Sequence, residues 1–181
     1  SAQITQIDNY SYFSEPSSEQ TQPLPLQSEK TINYLKIKLS KELKLGKFAL
    51  NNTVMYQNVT QGNSIFRVPE LVTRNTLYFS DRIFKGDPIY IQTGVTFKYF
   101  TKYYANSYNP LLSEFSVQSK ELIGGYPVLD FFINAQIQRT RLYFKAEHLN
   151  SKFITPNYYT APNYPYRDFV IRFGLVWNFF I

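Results

Sequence analysis

The sequence predicts an all-β fold, an antiparallel up-and-down transmembrane β-barrel with about eight strands in this chain, and three observations carry that expectation. Eight segments alternate apolar and polar residues with the period of two that a strand with one greasy face requires. The chain holds 16 Tyr and 16 Phe against 7 Gly and one Met, an enrichment that favours strands and bilayer interfaces over helices. The connections between segments run long and short in strict alternation, as in barrels with short turns on one side of a membrane and long loops on the other.

The expected strands cover about 2–13, 31–44, 47–59, 70–84, 89–104, 127–137, 139–150 and 168–181. The first, AQITQIDNYSYF, is weakly two-faced, and so is RNTLYFS in the fourth. In IYIQTGVTFKYF the odd positions Ile89, Ile91, Val95, Phe97 and Tyr99 are apolar and the even ones include Gln92, Thr96 and Lys98. In the next hairpin Phe131, Ile133, Ala135 and Ile137 share one face, and Thr140, Leu142, Phe144 and Ala146 share the facing one. The apolar parity switches from odd to even across Gln138-Arg139, as a two-residue loop demands if both apolar faces are to coincide. The same switch occurs at Gly46-Lys47, with Gly in the first loop position of a II′ turn. In the last strand Phe169, Ile171, Phe173, Leu175, Trp177, Phe179 and Ile181 are all apolar.

Long connections are expected at about 14–30, 60–69, 105–126 and 151–167, rich in Pro, Ser, Asn and Tyr, and short ones at 45–46, 85–88 and 138–139. They divide a single β-barrel domain or barrel segment, residues 1–181, with the long connections exposed as surface loops. YNPLLSEFSVQ, residues 108–118, reads as part of a long loop, because a ninth strand there would reverse the alternation. The paired glycines of IGGYP permit a sharp bend at a strand entrance.

Composition limits the function classes. No run approaches 18 consecutive apolar residues, so no transmembrane helix is expected. Residues 1–20 lack the charged-then-apolar order of a secretory signal, which leaves a processed or partial chain. Zero cysteines exclude a disulfide scaffold and a thiolate metal site, and with one histidine, His148, no metal set is expected. His148 falls on the apolar parity near a strand end with no matched nucleophile, so neither catalysis nor a cofactor is expected. The net charge of +6 at pH 7 is compatible with nucleic acid, but the aromatics share faces with aliphatics rather than with the charges, so a nucleic-acid partner is not expected. Assigning the wetter face to a lumen collects Lys36, Lys38, Arg74, Lys98, Lys102, Arg139, Arg141, Lys145 and Arg172 against Glu42, Glu70, Asp130, Glu147 and Asp168. Such a basic wall can select anions or pair internally across strands.

The ending FGLVWNFFI resembles the terminal signal of bacterial outer-membrane proteins, with Gly174, Trp177 and Phe179 in the spacing of that signal and Phe180 and Ile181 beyond. Through GVTFKYF, YNPLLSEF, IGGYPVLDFFINAQIQRTRLYFKAEH and APNYPYRDFVIRFGLVWNFF the chain resembles the C-terminal portion of a family of putative porins of the Bacteroidota. The resemblance implies an outer-membrane porin passing small polar solutes by passive diffusion, and further strands of a larger barrel beside these. Its expected partners are outer-membrane lipid, the barrel-insertion machinery through the last strand, and a partner chain or the remaining strands. The competing expectation is a structural or interaction barrel with a closed lumen, a subunit or client of secretion or barrel-insertion machinery.

Overall fold

The computed structural model describes residues 1–18, 21–153 and 158–179. Its frame is one eight-stranded antiparallel sheet of β1 (Ala2–Ile7), β2 (Ile32–Leu45), β3 (Phe48–Thr60), β4 (Leu71–Ile83), β5 (Ile89–Phe100), β6 (Val128–Ile137), β7 (Thr140–Glu147) and β8 (Val170–Trp177). Each strand pairs with the next in the chain, an up-and-down meander. Both two-residue turns form where the parity switches. Gly46 takes φ 60°, and Gln138 is held at φ 50° without a glycine's freedom.

The expected barrel does not close: among the described residues β1 and β8 each pair on one side only. Several expected boundaries are also corrected. The first strand stops at Ile7, because Asn9 turns the chain at φ 56° and the Ser11–Phe13 segment pairs with Pro25–Gln27 instead. The fifth stops at Phe100, whose carbonyl accepts from the Gly125 N–H at 2.9 Å. The seventh stops at Glu147, where His148 enters the left-handed region at φ 55° and leads a short 3-10 turn over Leu149–Lys152. Residues 108–118 hold a hairpin of Ser107–Asn109 and Glu114–Ser116, which stays outside the main sheet. At IGGYP both glycines take positive φ.

The long connections share one end of the sheet and fold together. Two of them build a four-stranded sheet, joined by a parallel bridge between Phe13 and Ser116. Buried Ile32, Ile65 and Val117 form one apolar cluster, with Tyr10, Tyr12, Val59 and Phe66 around it. Buried Tyr126, Val128 and Tyr158 form a second, with Phe100 and Tyr166. The apolar core therefore lies where the connections meet the strand ends, at one end of the sheet, and not across its greasy face.

Candidate functional site

The register separates the main sheet into two unlike faces. One row runs Leu43, Leu50, Leu77, Val95, Phe131, Ala146, Ile171 across seven strands, and the next runs Leu45, Phe48, Phe79, Thr93, Ile133, Phe144, Phe173. Most of these side chains are partly or largely uncovered, Leu45 85%, Phe173 82% and Leu77 55% exposed, and only Ala146 is buried. On the opposite face the buried residues include polar ones, with Asp130 1% and Thr96 4% exposed, beside the apolar Ala49 and Val128. That is the reverse of a water-soluble sheet.

The polar face is the concave one. Residues of β2 to β7, among them Asn51, Arg74, Thr76, Gln92, Asn134 and Lys145, line one hollow of about 610 Å³. The sheet curls enough for the Tyr78 hydroxyl on β4 to donate across β3 to the Glu42 carboxylate on β2. At the loop end Asp130 accepts from Lys98 Nζ at 2.5 Å, lies 3.8 Å from Lys145 Nζ, and accepts the His148 backbone N–H at 3.0 Å. Glu147 takes Lys145 at 2.5 Å, Arg167 at 2.9 Å and Arg172 at 3.3 Å. Lys145 and Arg172 face each other directly in the register, so Glu147 between them offsets the repulsion of two like charges. Glu147 is buried while its three cations stay 38–53% exposed, so each contact is screened by solvent and removing one cation leaves the carboxylate two others.

His148 is fully buried. Its Nδ1 lies 2.7 Å from the Arg167 carbonyl, and its ring sits 4.7 Å from that of Tyr158 and 5.4 Å from that of Tyr166. This is a packed histidine, not one poised over a substrate. The Tyr158 hydroxyl donates to Asp168, and that bond to a carboxylate raises its pKa. Burial pushes the Tyr126 hydroxyl up to about 12. No group of three or more His, Cys, Asp and Glu converges among the described residues.

Of the nine basic residues expected on one wall, Lys36, Lys38, Arg74, Lys98, Arg141, Lys145 and Arg172 share the polar face by register. Lys102 and Arg139 do not lie in strands: Lys102 falls past the end of β5 and Arg139 in the β6–β7 turn. Lys44 and Arg82 also belong to the polar face, on the even parity of Lys38 and Arg74, and the alternation rule that found those two reaches them as well. Arg167 lies in a connection, where no alternation marks it. At the end of β8, Gly174 faces Tyr143 in the register and Trp177 stacks on Phe179 with ring centroids 4.6 Å apart. Phe180 lies outside the described residues.

The chain belongs to the family described as "Putative porin", whose family model matches residues 1–181. No curated protein and no solved structure matches it.

Proposed function

From this membership we propose that the chain forms part of the wall of an outer-membrane pore through which small polar solutes pass by passive diffusion. The observation that carries the reading is the inside-out sheet, with apolar rows running across seven strands, largely uncovered, and a concave polar face opposite. In water those rows would associate or aggregate; against lipid tails they are the required surface. Strands of 8 to 14 residues suit a tilted crossing for β2 to β8, and the short turns would face the periplasm. In this reading β8 is the strand presented to the insertion machinery, with Trp177 and Phe179 as its interfacial anchors, and further strands cover the edges of β1 and β8. The work is diffusion along a polar wall, with no bond made or broken.

The competing reading, a barrel subunit with a closed lumen, draws on the packing of the long connections at one end of the polar face. Liposome swelling separates the two. Folded, heat-modifiable protein should admit small sugars at rates that fall with solute size. Folded protein in liposomes that stay impermeable to every sugar would overturn the pore in favour of the closed subunit.

A further inference from the structure

The charges on the polar face do not balance. All three of its strand carboxylates are engaged: Glu42 by Lys44 at 3.1 Å, Asp130 by Lys98, and Glu147 by Lys145, Arg167 and Arg172. Five cations on the same face, Lys36, Lys38, Arg74, Arg82 and Arg141, have no carboxylate within ion-pair distance among the described residues. Internal pairing therefore uses up the acids and leaves the surplus of cations. Arg74 is the member of that surplus on the hollow. It faces Lys98 directly in the register, and Asp130 compensates Lys98 but not Arg74. Around it the hollow offers amide and hydroxyl donors on Asn51, Thr53, Thr76, Gln92 and Asn134, with Lys145 also on its lining. Glu42 and Asp130 also line the hollow, but Lys44 and Lys98 engage them and Glu147 engages Lys145, so the exposed Arg74 guanidinium is the charge left over there. With several neutral donors around open water it suits a small oxyanion, which a guanidinium binds through paired N–H donors.

Resting on the pore reading, we infer that the wall prefers small anions of the carboxylate or phosphate class, and that Arg74 is the residue that sets this preference. Carboxylate and phosphate solutes would be drawn along the polar face by the unpaired cations and held briefly at the hollow, weakly enough to leave.

The test is ion selectivity of the folded full chain in planar lipid bilayers under a potassium chloride gradient. The reversal potential should show chloride preferred over potassium, and the sign should persist when acetate replaces chloride. Arg74→Gln should lower the anion-over-cation permeability ratio about fourfold, because one unit charge acting across about 10 Å of water favours the anion about twofold and disfavours the cation about twofold. Arg74→Lys should keep the ratio near the parent's, and Lys41→Gln, on the opposite face, should leave it unchanged. Heat-modifiable mobility reports folding of each variant, and Arg74→Met, which also removes the charge and should lower the ratio as Arg74→Gln does, keeps the comparison decisive if Arg74→Gln folds poorly. A conducting pore that prefers potassium, loses its preference in acetate, or responds equally to Lys41→Gln and Arg74→Gln overturns this inference and leaves the pore standing. Folded protein that conducts nothing overturns both.

Discussion

Gly174 shows how one position can carry two roles that only a paired substitution separates. A methyl group built at its Cα would meet Cε1, Cζ and Oη of Tyr143 at 2.5 Å, so the glycine makes room for a ring that lies across it on the polar face. Gly174→Ala should therefore lower the yield of folded, heat-modifiable protein, and Tyr143→Ser in the same chain should restore most of it. If the second change restores nothing, the glycine serves the backbone edge of β8 and not the ring. Tyr126 makes a second prediction. Its folded pKa of about 12, raised first by burial, lies above the ordinary value of 10.0, so the folded protein holds the proton more tightly than the unfolded chain does. The stability this contributes is present below about pH 10 and is lost as pH rises through the folded value. Absorbance titration of tyrosinate, parent minus Tyr126→Phe, should show a midpoint well above the ordinary one. A midpoint near 10 would mean that this ring is wet and the connection loose.

At the scale of single strands, the β6–β7–β8 meander tests the assignment of faces. Fluorescent labels at Leu142, Phe144, Phe173 and Leu175 should be quenched by a lipid-soluble quencher more than labels at Lys145 and Arg172, and Arg at a mid-strand apolar position should cost about 2–4 kcal/mol. The reverse order of quenching would exchange the faces and remove the basis for the pore. This meander is also where the sequence was most legible. Turn length and parity constrain each other there, so the switch across Gln138-Arg139 predicts the pairing of Ala135 with Leu142 and Ile133 with Phe144 that the sheet contains. Alternation is a local signal and carries no information about what lies beyond a strand's end. Phe100 ends β5 because its ring packs on Tyr126, 26 residues later, and this is why Lys102 falls outside the wall. The turn at Asn9 had a local mark in Asp-Asn, but the pairing of Ser11–Phe13 with a later connection had none. The cluster at the loop end was half legible: parity put Asp130, Lys98, Lys145 and Arg172 on one face, and only folding brings Arg167 onto Glu147.

For the whole molecule the decisive question is what lies against the outer edges of β1 and β8. An unpaired backbone N–H or C=O in hydrocarbon costs several kcal/mol, and two exposed strand edges multiply that cost, so a chain seated in lipid must have both covered. One solution pairs β1 with β8. Eight strands closed on themselves enclose an interior just filled by side chains, and this polar face would then have to bury five cations that have no acid partner among the described residues, each at a penalty that desolvation makes prohibitive. The other solution inserts further strands between the two edges, widens the lumen and leaves the cations in water. The second is the expected arrangement, and a chain without native cysteines makes it directly measurable. Spin labels on cysteines introduced at Phe144 and Phe173, which face each other across β7 and β8, report the distance between paired strands, which themselves lie about 5 Å apart. Labels at Ile4 on β1 and Phe173 on β8, in folded protein in a bilayer, should lie much farther apart than that reference pair. Equal distances would mean that β1 and β8 are neighbours, that the lumen is filled, and that this chain closes a small barrel by itself.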